Sequence, residues 1–282
     1  MVEAPDAASF LDAIEIVRSA GHPWVMLGAG TNVVASDDGF SGIVVRYRAS
    51  TIESGGRSLR VDAGTELQSL VDFAIAGGLE GLHTMTGIPG WVGAAIYGNA
   101  GAYGHSISEF IREVRFHDGE RIRTLDNAGC GFDYRESVFK HRKDWTILSA
   151  ELDLPAGDPE RLAAEARRIR EIRDAKYPPA MRCAGSIFKN LLAANVPAAV
   201  LEQVPSKVVI EGKVPSAWFL EQVGGKGMRR GDIQVASYHA NLIYNDGRGA
   251  ASGVRAIVEE LKRRVQERFH LDLEEEVQYV GF

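Results

Sequence analysis

The sequence predicts a mixed α/β (α+β) protein of more than one unit, and three observations carry that expectation. Segments with apolar residues at helical spacing alternate with short apolar runs of strand length along the 282 residues. A glycine-dense stretch, Gly87–Gly104 (GIPGWVGAAIYGNAGAYG), interrupts them with six glycines, four alanines and no charge. A chain of this length buries a large core and ordinarily divides it between units.

Residues 8–20 place Phe10, Leu11, Ile14, Ile16 and Val17 at helical spacing. The apolar run 24–27 follows, then Gly28-Ala29-Gly30-Thr31-Asn32 and a second strand over 42–47. Residues 58–62 read as a strand closed by Ala63-Gly64-Thr65, and 66–76 as a helix stopped by Gly77-Gly78. Segments 109–117, 121–125 and 145–152 alternate as strands, with Asp118-Gly119 as a hairpin signal. The clearest helix is 158–176, with Pro159 in its first turn and Tyr177-Pro178-Pro179 unable to continue it. Helices over 217–223 and 250–269, with strands over 233–235, 241–244 and 275–280, complete the chain. The expected division is 1–47, 48–157 and 158–282.

Composition narrows the class. The chain is 45% hydrophobic and 25% charged with a net charge of -6, as expected of a globular protein and not of a nucleic-acid binder. Its two cysteines, Cys130 and Cys183, form no CxxC pair, so neither a disulfide framework nor a metal site is expected. No apolar run is long enough to span a membrane and no secretory leader is visible, so a cytoplasmic enzyme or binding protein is expected.

Glycine loses more entropy on folding than any other residue, so density on this scale calls for positive φ angles or a backbone laid against a ligand. Flexible linkers are polar, whereas these glycines alternate with Ile88, Trp91, Val92, Ile96, Tyr97 and Tyr103. A ligand cradle is the favoured reading, with a tight core turn as its rival. Gly28-Ala29-Gly30 lacks the third glycine and immediate helix of a dinucleotide fold, since Val33-Val34 continue as extended chain. Its amides can instead hold a pyrophosphate as a nest does, or simply make a strand turn.

Taken together, GAGTN (28–32), VDAGTE (61–66) and the stretch 87–104 resemble the flavin-binding segments of the UDP-N-acetylenolpyruvoylglucosamine reductases, the MurB family. The resemblance extends to YRESVFK (134–140), GSIFKN (185–190) and LEEEV (273–277), in the same order over essentially the whole chain. Thr31 replaces the family's usual serine and keeps the hydroxyl, and Leu191 stands where a proline is usual. The resemblance implies a FAD-binding half of the vanillyl-alcohol-oxidase (PCMH-type) superfamily plus a C-terminal α+β substrate-binding domain.

It also implies non-covalent FAD, NADPH as reductant, and UDP-N-acetylglucosamine enolpyruvate as substrate, and a monomer is expected. FAD contacts are expected at Gly28, Gly30, Thr31, Asn32 and Gly64. Further contacts are expected at Gly87, Ile88, Pro89, Gly90 and Gly93, then at Asn99, Ala100, Gly101, Tyr103 and Gly104. Hydride addition to the enol ether leaves a carbanion that needs charge stabilisation and a proton. The resemblance gives the proton to Ser186 and the stabilisation to Arg135 and Glu276. A serine must work by proximity in a polarised setting, and a permanently cationic arginine can hold the developing charge. A carboxylate beside an enolate must be protonated or paired with the arginine.

Lys176, Asn190 and His239 match the family's phosphate and uridine contacts. Lys176 can equally complement the end of its helix, and His239 can be a buried hydrogen-bonded histidine. Only His141–Trp145 separates YRESVFK from the next strand, which resembles the family's shorter type. The family's opening Thr-x-x-x-Gly-Gly strand has no counterpart before Val2-Glu3-Ala4, so an upstream-extended chain is expected to fold more stably or bind FAD more tightly. The alternatives are another flavin oxidase or dehydrogenase of the same superfamily, with His105 as the one candidate for covalent attachment, or a non-catalytic FAD- or nucleotide-sugar-binding protein.

Overall fold

A computed structural model describes residues 1–282. The chain divides into two compact units, one of residues 1–30 and 41–176, the other of residues 31–40 and 177–282.

The first unit carries two sheets. Val2–Ala4, Ile43–Tyr47 and Trp24–Met26 form a parallel sheet with Ile43–Tyr47 in the middle. Over it packs the helix Ala7–Ser19, which Asp6 caps by accepting from the Ser9 amide at 2.7 Å. That helix buries Phe10, Ile14 and Val17, three or four residues apart, so the stripe seen in the sequence is the packed face. The second sheet is antiparallel, in the order Ile122–Asp126, Ile111–His117, Thr146–Asp153, Ser58–Asp62, Ile52–Gly55. One buried apolar cluster joins both sheets, from Phe10 and Val45 to Phe116, Phe139 and Leu148.

The expected boundary at 157/158 does not coincide with the division between the units. The helix Pro159–Lys176 belongs to the first unit, with Leu162 and Ala166 as its buried residues. So little apolar surface is supplemented by polar ties. Glu165 meets His83 at 3.0 Å, Arg161 meets Glu80 at 2.7 Å, and Arg170 donates to Gln68 at 2.7 Å. Those partners lie in the helix Leu67–Ala76 and shortly after it, where the charge ladder alone could not place them.

The stretch 87–104 is not one loop. It contains a helix, Val92–Tyr97, and a tight hairpin, Gly101–Ala102 against His105–Ser106. Tyr103 and Gly104 turn that hairpin with φ of 53° and 82°. Two consecutive positive φ angles define the turn that matches strand twist, and glycine suits the second position.

The second unit is built on an antiparallel sheet in the order Cys183–Ser186, Leu242–Asn245, Ile233–Val235, Arg229–Arg230. The helix Ala251–Phe269 buries Ile257, Val258, Leu261, Val265 and Phe269 in that unit's own core. Residues 31–40 belong here for two reasons. Val33–Ala35 pairs in parallel with Gln278–Val280, and Asp37 caps the long helix by accepting from the amides of Ala251 (2.8 Å) and Ser252 (3.2 Å). Neither partner is within two hundred residues of the segment, so local pattern says nothing of it.

Candidate active site

In the first unit, the turn after Trp24–Met26 leaves the amides of Gly28, Ala29 and Gly30 without a carbonyl partner, and Gly30 sits at φ 77°. Thr65 adds a buried hydroxyl, 2% exposed, whose Oγ1 has no hydrogen-bond partner. Its backbone is held by Asp62 (amide to carbonyl, 3.1 Å) and by the Val92 amide, which donates to the Thr65 carbonyl at 2.8 Å. A buried polar group is normally paired, so the orphaned Thr65 hydroxyl, in the unit that also offers the solvent-accessible turn amides, suits a ligand rich in acceptor oxygens.

The glycines do not share one purpose. A Cβ on Gly64 would lie 2.6 Å from the carbonyl oxygens of both Tyr47 and Ala49, and one on Gly93 would lie 2.8 Å from the Ala63 Cβ. A Cβ on Gly101 would run into its hairpin partners, His105 and Ser106. Close approach of chain to chain therefore accounts for glycine at these three positions. Nothing lies within 4 Å of a Cβ built on Gly30, so packing does not account for that one. Gly87, Ile88, Pro89 and Gly90 connect the turn Leu82–Met85 to the helix Val92–Tyr97, with the Gly87 amide donating to Gln68 at 2.8 Å.

YRESVFK serves this same region. Arg135 adopts φ 58°, a left-handed conformation that is strained for a side-chain-bearing residue. From there its guanidinium donates to the carbonyls of Asn99 (3.3 Å) and Gly101 (2.8 Å). Asn99 reciprocates by donating to the Asp133 carbonyl at 2.8 Å, and Ser137 donates to the Tyr97 carbonyl at 2.7 Å. Lys140 closes the turn on the Arg135 carbonyl at 2.8 Å, while Phe139 is fully buried beside Phe116 and Trp145. The glycine hairpin and the arginine are thus one rigid piece, a link invisible in the spacing of 34 residues.

In the second unit, GSIFKN forms the edge strand and the turn after it. Cys183 faces Tyr244 and Ser186 faces Leu242, so three steps on one strand match two on the other. The extra residue is a bulge with Gly185 at φ 79°. Bulges re-aim the next side chain, and here that side chain is Ser186. Its Oγ lies 3.1 Å from the Tyr177 Oη. Ile187 and Phe188 are buried, anchoring the serine from behind. Lys189 is buried and ion-paired with Glu274.

Glu276 is brought to the serine by the backbone, its amide donating to the Ile187 carbonyl at 2.7 Å. Asn32 donates its side-chain amide to the Glu276 carbonyl at 2.9 Å, so it braces the segment leading into the strand Gln278–Val280. Thr31 and Asn32, expected with the flavin glycines, belong to the second unit, as do Ser186 and Glu276, while Arg135 and Lys176 belong to the first. Asn190 accepts from the Ser216 amide at 3.3 Å, and the His239 amide and carbonyl close the turn 236–242. Asn241, unremarked in the sequence, is the hub behind the motif. It is buried, accepts from the Phe188 amide at 2.9 Å and donates to the Phe188 carbonyl and the Ser216 hydroxyl, each at 2.8 Å. No cluster of His, Cys, Asp or Glu has the arrangement of a metal site.

Glycine-turn amides without a Rossmann helix suit a pyrophosphate, and the match of residues 1–124 to the FAD binding domain makes the class a flavoprotein. Residues 1–124 match the FAD binding domain, and residues 177–280 match the C-terminal domain of UDP-N-acetylenolpyruvoylglucosamine reductase. The reductase of Solibacter usitatus is 55% identical over 279 residues, covering 99% of this chain and 89% of the relative. That of Rubrobacter xylanophilus is 33% identical, covering 100% of this chain and 88% of the relative. The crystal structure of the Thermus caldophilus reductase (MurB) superposes with a TM-score of 0.73 at 27% identity, covering 94% of this chain and 88% of that one. The chain belongs to the UDP-N-acetylenolpyruvoylglucosamine reductase family, and FAD is its cofactor.

Proposed function

We propose that this chain catalyses the NADPH-dependent, FAD-mediated reduction of UDP-N-acetylglucosamine enolpyruvate to UDP-N-acetylmuramate in peptidoglycan precursor synthesis. The observation that carries the reading is Ser186, presented on a glycine bulge with the Glu276 amide bound to the next residue's carbonyl. FAD, once reduced by NADPH, supplies the hydride. The chain's own residues do the rest. Ser186 Oγ delivers the proton to the carbon left with negative charge. Arg135, permanently cationic and held by two carbonyls, stabilises that charge without reorganising. Glu276 assists either as a neutral acid or as counter-ion of the arginine, since a free anion there would oppose the reaction. Lys176, Asn190 and His239 hold the nucleotide diphosphate. Most of the flavin contacts fall in the first unit, and the second unit serves the sugar nucleotide.

The protein is taken to act as a monomer in the cytoplasm; no helix is long and apolar enough to cross a membrane. Purified protein should absorb at about 450 nm, as bound oxidised flavin does. NADPH should bleach it, and only the enolpyruvyl nucleotide should restore the colour. Ser186→Ala should bleach normally and recolour at least about 10²-fold more slowly. Recolouring at the normal rate would remove Ser186 from the role.

A further inference from the structure

We propose that Tyr177 is the positioning residue and proton reservoir of Ser186, an inference that rests on Ser186 being the proton donor. Tyr177 follows the helix Pro159–Lys176 directly and is clamped by Pro178-Pro179. Prolines fix φ, so the chain carrying this phenol has little freedom to drift. The Oη of half-buried Tyr177 sits 3.1 Å from the Oγ of half-buried Ser186, which follows the Gly185 bulge. The nearby Tyr238 phenol is pushed above its usual range by burial, and its ionisable neighbours are Cys183, Tyr244 and Tyr177.

A serine hydroxyl that protonates carbon leaves an alkoxide, which must be held and then refilled. When Tyr177 donates to Ser186 Oγ, the serine's own proton is left to point at the substrate. As that proton moves, the Ser186 O–H bond breaks and a C–H bond forms on the carbanionic carbon. In the same concerted step the Tyr177 O–H breaks and a new Ser186 O–H forms, so no free alkoxide has to persist. Water returns a proton to the phenolate, so one solvent proton is consumed per hydride added. A hydrogen bond to a developing anion is stronger than one between neutral groups, and that difference accelerates the step.

The test is Tyr177→Phe, alone and in the Ser186→Ala background, with the two half-reactions followed separately in the FAD-loaded enzyme. Removing the phenol should leave bleaching by NADPH and the melting temperature unchanged and slow recolouring by about 10- to 100-fold, the scale of one hydrogen bond to a charged group. In the Ser186→Ala background it should cost nothing further, because the tyrosine acts through the serine. Wild-type recolouring in mixtures of light and heavy water should give a bowed rate plot, from two protons in motion, and Tyr177→Phe a straight one. A straight plot in the wild type overturns the relay, even if the variant fails to fold. So does recolouring of Tyr177→Phe within about threefold of normal while Ser186→Ala is slow. If Ser186→Ala itself recolours normally, the reading of Ser186 falls and the relay falls with it.

Discussion

Replacing Thr65 by valine should stabilise the protein without its flavin and weaken its hold on the flavin, two effects of opposite sign from one side chain. Thr65 is 2% exposed and its Oγ1 has no partner, while its backbone is secured at both ends by Asp62 and Val92. Valine keeps the β-branch and the fill of the site, so the change is confined to the hydroxyl. An unsatisfied buried polar group costs about 1–3 kcal/mol, and an apolar group of like shape recovers part of that. A gain of about 1 kcal/mol raises the melting temperature of a unit this size by roughly 2–4 °C. In the holoenzyme the hydroxyl gains an acceptor or donor on FAD, and losing one neutral hydrogen bond costs about 0.5–1.5 kcal/mol, or roughly 2- to 12-fold in Kd. Deflavinated protein would be melted by circular dichroism, and FAD titrated back by quenching of its fluorescence. A flavin-free Thr65→Val protein that melts below the wild type would show that the hydroxyl is already satisfied. An unchanged FAD affinity would refute its part in the cradle.

Three further outcomes follow from the same geometry. Gly64→Ala places a Cβ 2.6 Å from two main-chain carbonyls, so even flavin-free protein should lose about 3 kcal/mol or more. Gly30→Ala, with open space around it, should spare flavin-free stability by comparison and chiefly raise the FAD Kd. A similar melting temperature for the two flavin-free variants would refute the distinction. Arg135→Lys cannot grip the Asn99 and Gly101 carbonyls with one planar fork and should cut turnover by about 10²-fold while melting within about 3 °C of wild type, measured by steady-state rate and thermal scan. Burial holds the His83 imidazole below its ordinary pKa against the opposing pull of Glu165, and its Nδ1 accepts from the Gly81 amide at 3.2 Å. The unfolded chain therefore binds the proton more readily, so this stabilisation is complete above about pH 6.5 and is lost as pH falls through that value. His83→Gln should flatten the pH dependence of melting below about pH 6.5, and an unchanged slope there would refute it.

Much of the fold was legible because its signals are local. Phe10, Ile14 and Val17 repeat at helical spacing before a strand, and Pro159 opens a helix that Pro178-Pro179 closes, so both helices lie where the pattern puts them. The helix Val92–Tyr97 was not legible, since glycine and alanine hide a six-residue helix that is held by its surroundings. The allegiance of residues 31–40 was not legible either, because Asp37 and Val33–Ala35 find their partners at the far end of the chain. For the site, the motif GSIFKN pointed to Ser186, yet its geometry comes from a bulge register that depends on Leu242 and Tyr244.

By itself, then, the sequence determined most of the helices and strands through local pattern, and the family and cofactor through motifs that resemble the family's. Only the tertiary structure decided why each glycine is there. Gly64, Gly93 and Gly101 answer to close approach of neighbouring chain, whereas the amides of Gly28–Gly30 meet no backbone carbonyl and the Thr65 hydroxyl has no partner. It also decided that Arg135 grips the glycine hairpin and that Tyr177 meets Ser186. The physical reason is that spacing records which side chains are present, but a hydrogen bond of about 3 Å depends on turns, bulges and distant strand registers acting together.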